Sequence, residues 1–310
     1  MFQVTEAKRE KMKAVIGFIG CSGSGKTGSA LLTAFGMMQE AYPDVSEEEL
    51  WKKIGVIDTE HERSKLQVGL VYGEVKIGNF LHIDFTPPYT TERYNEAVHV
   101  MKQAGVEVII IDSLSHNWQG EGGIVETHGG MSGNSFQNWG KLAPETTKLI
   151  KTLTQNDVHI LATLRTKTEY VVESDSNGRM APRKVGTKPV QKDEMEYEFM
   201  LNFVVDIEHV ATTSKDNTQL FEGNPQKITA DVGRKLYQWL ELGIDVKAEE
   251  ESRRINLIQQ VRYIAHEHVE AQMKIQEFEW KANLKLEDFT VKLLETALDR
   301  LQVFNIKEEK

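Results

Sequence analysis

The chain has 310 residues, room for one large domain or about two of ordinary size; 40% hydrophobic and 27% charged residues exclude a wholly disordered chain. Asp and Glu (47) outnumber Lys and Arg (37), a net charge of −10, so the surface repels bulk nucleic acid and any nucleic-acid contact needs a local basic patch. One cysteine, Cys21, excludes an intrachain disulfide and points to a reducing, cytoplasmic compartment; the charged first residues lack a signal-peptide core, and no apolar run is long enough for a membrane span or a membrane partner.

Residues 1–13 read as a charged N-terminal arm. Short apolar runs then alternate with helical patterns. Strands are predicted at Ala14–Ile19, Ile54–Asp58, Phe80–Asp84, Val106–Ile111 and Val158–Leu164. Helices are predicted at Lys26–Glu40, after the Ser46/Glu49 capping box, at Thr91–Ala104, and from Pro144 as a first helical residue. This alternation predicts an α/β fold with a mostly parallel central sheet covered on both faces. Beyond residue 165, Glu169–Glu173 and Met180–Val185 flank Ser176-Asn177-Gly178, a hairpin signal. Later strands are expected at Phe203–Val210 and Thr218–Glu222, then a helix over Ala230–Leu240 with Gly243 as its C-cap. The core is thus bounded at 14–243. Residues 244–310 form a helical C-terminal region with two glycine-free patterns, one marked by Leu257, Val261 and Ile264, the other by Leu294, Ala297, Leu298 and Leu301. Such a region is either an appendage docked on the core or a partner surface.

The most specific motif is Gly20-Cys21-Ser22-Gly23-Ser24-Gly25-Lys26-Thr27, which fits G-x-x-x-x-G-K-[ST] between an apolar strand and a helix. Its glycines let backbone N–H groups turn inward around phosphate oxygens, and the helix that continues through Gly28 adds its positive end. Lys26 is expected to reach the β- and γ-phosphates and Thr27 to offer its hydroxyl to Mg²⁺. Val106–Ile111 delivers Asp112, a carboxylate expected to be the second contact of the metal, through water. ATP and Mg²⁺ are the implied ligands. Ser113 stands where many ATPases carry a glutamate, so the expected base moves to the next strand, at Glu60 in Asp58-Thr59-Glu60-His61.

VIDTEH at 56–61 resembles the catalytic-glutamate strand of RecA-type ATPases. GEGGIVETHGGMSG at 120–133, a helix and the strand HILATLR are similar to the DNA loop, helix and sensor strand of that class, with Thr163 near the sensor position. PPYTTERY, IIIDSLSHNW, the stretch from Arg165 to Tyr197 and SKDNTQLFEG resemble phage-encoded RecA/RadA-like ATPases of the phage AAA family, over roughly residues 14–243. The resemblance implies a RecA-like P-loop core, a ring or filament of identical subunits, and a role on single-stranded DNA in phage recombination or replication, in the host cytoplasm. It also implies a lysine that acts on the neighbouring subunit's nucleotide. Lys215 fits that lysine, while Asn217 stands where arginine is expected; Lys184 and Lys188 are alternative cations.

Within 163–192, Arg165, Lys167, Arg179, Arg183, Lys184, Lys188 and Lys192 outnumber Glu169, Glu173 and Asp175. A basic hairpin suits phosphate contacts of low sequence selectivity, and Tyr170 or Trp118 suits base stacking. The same hairpin is equally a solvated element or a subunit contact. The sequence supports three functions: a DNA-stimulated ATPase, a weakly hydrolysing nucleotide-gated adaptor that recruits a partner through residues 244–310, and, third, a small-molecule kinase.

Overall fold

The computed structural model describes residues 4, 6–174, 180–193 and 195–305. It forms two compact units, Met12–Glu241 on the one hand and Met1–Lys11 with Leu242–Lys310 on the other. The breaks lie within two residues of the 13/14 and 243/244 boundaries read from sequence.

In the larger unit the chain runs β1 (Val15–Gly20), α1 (Lys26–Ala41), α2 (Glu47–Lys52), β2 (Ile54–Asp58), the short hairpin β3 (Val71–Tyr72) and β4 (Val75–Lys76), then β5 (Leu81–Asp84) and α3 (Thr91–Gln103). There follow β6 (Val108–Asp112), α4 (Ser115–Gln119), α5 (Ile124–Gly129), α6 (Ser135–Thr154), β7 (His159–Ser174), β8 (Met180–Pro189), β9 (Leu201–Val205), β10 (Ala211–Asp216) and α7 (Ala230–Leu240). The main sheet has the order β10-β9-β1-β7-β6-β2-β5. Strands β9 through β5 in that order are parallel; β10 is antiparallel to β9, and β8 is antiparallel to the extended outer part of β7. The unit is α/β with a mostly parallel central sheet.

The nearly unbroken apolar run of β6 follows from burial on both faces. Val108 and Ile110 pack with residues of α1, α2 and α7, such as Phe35, Trp51 and Leu236. Ile109 and Ile111 point the other way, to Tyr94 and Met101 of α3 and Leu149 of α6. Hydroxyl and amide side chains start the helices: Ser46 accepts from Glu49 N–H, Thr90 from Arg93 N–H, and Asn134 from Gln137 N–H. Helices α1 and α7 touch backbone to backbone. A Cβ on Gly36 would lie 1.8 Å from the Ala230 carbonyl oxygen, and one on Gly233 2.0 Å from that of Thr33.

Several expectations are corrected. Pro144 lies inside α6 rather than at its start; Asn134 caps the helix ten residues earlier, and the buried positions Asn138, Leu142, Thr146, Leu149 and Leu153 continue through the proline. The stretch 120–133, likened to a DNA loop, carries the short helix α5. The strand expected at Phe203–Val210 stops at Val205, because the Asp206 carboxylate accepts the N–H groups of Glu208 and Val210 and turns the chain. Thr218–Glu222 is not a strand. The strand lies earlier, at 211–216, and the Asp216 carboxylate ends it by accepting from Thr218, Gln219 and Phe221 N–H. Gly243 is not the C-cap of α7; that residue is Glu241, in the right-handed region. A Cβ at Gly243 would come within 2.2 Å of the Glu10 carbonyl carbon, so glycine serves a close backbone approach.

Among its described residues the smaller unit has three α-helices, α8 (Val246–Glu267), α9 (Val269–Ala282) and α10 (Val291–Asn305), instead of two patterns. His268, in an extended conformation, separates the first two. Leu257, Val261 and Ile264 of α8 meet Ala271 and Ile275 of α9 and Leu294 and Leu301 of α10 in one core. The apolar faces seen in the sequence therefore cover one another. The described part of Met1–Lys11 joins this unit through Lys11 N–H to Ile244 O and Ile244 N–H to Arg9 O, both 2.9 Å.

Candidate functional site

Open parallel sheets bind ligands beyond the carboxyl ends of their strands. Here β1 ends at Gly20, level with Arg165 of β7, and Asp58 of β2 is level with Asp112 of β6. The candidate residues gather at this edge because the parallel register puts strand ends side by side.

The loop from Gly20 to Gly25 joins β1 to α1. Gly23 and Gly25 have φ of +82° and +88°, a region open to glycine at little cost, and Gly25 is the N-cap of α1 without a side-chain cap. The first N–H groups of α1 are thus left to a ligand or water. A Cβ on Gly20 would lie 2.5 Å from both Ser24 Oγ and the Val205 carbonyl oxygen. Ser22 is exposed, whereas Ser24 is fully buried and its Oγ has no hydrogen-bond partner among the described residues. Lys26 spans the loop and donates from Nζ to the Cys21 carbonyl at 2.7 Å. Burial pushes the Lys26 ammonium below its usual pKa, against the opposite pull of the Asp112 and Glu60 carboxylates. Gly28 is buried in the first turn of α1, where a Cβ would sit 3.2 Å from the Tyr72 hydroxyl.

Thr27 Oγ1 donates to Asp112 Oδ2 at 2.6 Å, and Thr163 Oγ1 donates to Asp112 Oδ1 at 2.5 Å. Asp112 is 3% exposed; burial raises its pKa, and these two hydroxyls oppose the rise. Thr163, read as a nucleotide sensor, holds the Asp112 carboxylate. Its carbonyl in turn accepts from Ser113 Oγ at 3.0 Å.

Glu60 is aimed by its neighbour Asp58. That buried carboxylate accepts Glu60 N–H at 2.7 Å and Ser64 N–H at 2.8 Å, which fixes the turn leaving β2. The Glu60 carboxylate is gripped by both sides of the Arg165 guanidinium, with Nε donating at 2.6 Å and NH2 to the second oxygen. Arg165, a candidate DNA contact by sequence, is engaged here instead. Its place at the end of HILATLR, on the strand next to β1, was the available signal. Sequence reading also missed the role of Thr59. Its hydroxyl accepts Ser113 N–H at 2.7 Å and lies 2.5 Å from His116 Nδ1. The His116 ring stacks on Tyr89, and burial lowers its pKa.

The other candidates fall elsewhere. Lys215 on β10 is level with Asn202, itself level with Gly17, and donates to the Tyr197 carbonyl at 2.5 Å. It is not brought to the Gly20–Thr27 cluster of its own chain. Lys167 and Lys188 face each other across β7 and β8, and Lys188 also approaches Asp193 at 3.6 Å. Arg183 and Lys184 lie on β8, with side chains outside what is described, and Arg179 lies outside the described residues.

The residues present fit a magnesium–nucleotide pair. The unpartnered Ser24 hydroxyl, the left-handed glycines and the Lys26 ammonium offer donors for phosphate, and Thr27 with Asp112 offers hard oxygen ligands. Among the described residues no group of three or more His, Cys, Asp or Glu is arranged to hold a metal ion. No helix among the described residues is long and apolar enough to cross a membrane. No protein-family model matches the chain, and no curated protein matches it in sequence.

Proposed function

We propose that the chain is a RecA-like P-loop protein that binds and hydrolyses Mg·ATP and acts, as a homo-oligomer, on single-stranded DNA in phage recombination or replication. The observation that carries the nucleotide reading is the Thr27–Asp112 hydrogen bond beneath a glycine loop at the carboxyl edge of a parallel sheet. Two residues 85 positions apart, both read from sequence as metal ligands, meet through their side-chain oxygens. The basic hairpin of β7 and β8 supports the DNA reading, and the sequence resemblance supports the class and the phage setting.

In this reading the N–H groups around Gly23 and Gly25, the Ser24 hydroxyl and Lys26 hold phosphate oxygens. Thr27 and Asp112 hold magnesium, with Thr163 keeping the carboxylate in place. Magnesium, when bound, neutralises charge on the phosphates. Glu60 accepts a proton from the attacking water, and Asp58 and Arg165 orient it. Lys215 of a neighbouring subunit supplies the further cation. A second reading, a nucleotide-gated adaptor with little turnover that recruits a partner through its C-terminal helices, is favoured by the tight hold of Arg165 on Glu60.

ATP turnover of the wild type and Glu60→Gln, with and without single-stranded DNA across a salt series, tests the proposal. DNA stimulation that fades with salt and is lost in Glu60→Gln is expected. Tight binding with negligible turnover supports the adaptor, and phosphate transfer to a metabolite supports a kinase.

A further inference from the structure

The turn between β9 and β10 lies against the glycine loop, and none of its residues belongs to the phosphate-loop motif. His209 Nδ1 is 2.9 Å from the Ser24 carbonyl oxygen. Because the carbonyl only accepts, the imidazole nitrogen carries the proton and donates. The ring rests on Gly25: a Cβ there would come within 2.9 Å of His209 Nδ1. Gly25 is thus required twice, for its φ of +88° and for the seat of this ring. Ile207 of the same turn is 65% exposed and lies 4.0 Å from where a Cβ on Gly23 would be.

The turn is built to be stiff. Asp206 Oδ1 accepts Glu208 N–H and Val210 N–H, each at 2.9 Å. Asp206 N–H donates to the Val210 carbonyl and His209 N–H to the Asp206 carbonyl. His209 itself has φ +65°, a left-handed conformation uncommon for residues other than glycine. Four hydrogen bonds hold it there, and the result is that its ring reaches the loop.

We infer that His209 is a positioning residue of the nucleotide site: by holding the Ser24 carbonyl it fixes the peptide between Ser24 and Gly25, so that the following N–H groups face the phosphates before they arrive. This rests on the phosphate-loop reading above. Its action is on binding rather than chemistry, because the loop grips phosphate equally before and during the reaction.

The test uses the full chain and two variants. His209→Ala removes the donor. His209→Asn keeps one, since the asparagine Nδ2 occupies the same position along the side chain as imidazole Nδ1, and asparagine tolerates the left-handed φ. Binding of a fluorescent ATP analogue with magnesium is expected to weaken about tenfold in His209→Ala and to return to within about threefold of wild type in His209→Asn. In turnover the loss appears in KM, with kcat nearly unchanged. Equal affinity of His209→Ala and wild type, or an equal loss in both variants, overturns the inference. Hydrogen exchange of the peptide spanning residues 20–29, without nucleotide, separates this from the function reading. Faster exchange in His209→Ala, restored in His209→Asn, supports the hold on the loop even if wild type binds no nucleotide, an outcome that would sink only the nucleotide reading. Unchanged exchange overturns the hold itself. Thermal melting of both variants, if close to wild type, excludes a general loss of fold; a shared drop in melting temperature with no asparagine rescue counts against the inference.

Discussion

Replacing His159 with asparagine should change how the larger unit responds to acid. His159 begins β7 and is 1% exposed. Its Nδ1 accepts the Ala14 N–H at 3.0 Å, and the Lys13 ammonium lies 3.4 Å from its other ring nitrogen. A second ring proton would point at an N–H and sit beside a positive charge. Burial first, and Lys13 second, lower its pKa from 6.5 to about 3. The folded value is below the unfolded one, so this contribution to stability is complete above pH about 6.5 and is lost as pH falls towards 3. At about 1.36 kcal/mol per unit the full difference is roughly 5 kcal/mol, of which about 2.5 kcal/mol is lost between pH 7.5 and 4.5. A folded domain holds only about 5–15 kcal/mol, so the loss is measurable. The substituted asparagine would present its Oδ1 to the Ala14 N–H but would not titrate. Denaturant unfolding at pH 7.5, 6.5, 5.5 and 4.5, followed through the buried Trp51, should give a steeper acid loss in wild type than in His159→Asn, by about 2.5 kcal/mol over the range. Equal pH slopes in the two proteins would refute the reasoning.

Gly233→Ala should lower the melting temperature by roughly 8 °C, because its Cβ would lie 2.0 Å from the Thr33 carbonyl oxygen and force α1 and α7 apart, while Gly129→Ala, with open space around it, should be near neutral. If the hairpin carries DNA, Lys167→Ala with Lys188→Ala should flatten the dependence of log affinity on log salt for an oligothymidine by about 1.4, and an unchanged slope refutes that contact.

The parallel sheet and its edge were legible because burial on both faces leaves a plain trace, VIIID at 108–112 and IGVID at 54–58, each ending in an aspartate. The glycine loop was legible because its spacing is set by backbone needs that few other residues meet. What escaped was set by partners distant in sequence. The one local mark of Arg165 is its place at the end of HILATLR, which does not name its partner; only the alignment of β7 in the sheet and the turn after β2 bring it to Glu60, 105 positions away. His209 is anonymous, 185 positions from the carbonyl it holds. The late strands were misplaced because Asp206 and Asp216 end them through side-chain acceptors, while apolar residues continue beyond and imitate a strand. The faces of α8 and α10 could not be assigned from periodicity, since a helix buries the same stripe against its own unit or a partner.

The most direct test of the account is a titration of the wild type, Lys26→Ala and Asp112→Asn with a fluorescent ATP analogue, with and without magnesium. The account predicts that wild type binds and that magnesium tightens binding. It predicts that Lys26→Ala weakens binding at least about tenfold, and that Asp112→Asn binds without regard to magnesium. A wild type that binds no nucleotide, or variants that bind as it does, would contradict the claim that Thr27 and Asp112 meet in order to hold a metal beneath a phosphate loop.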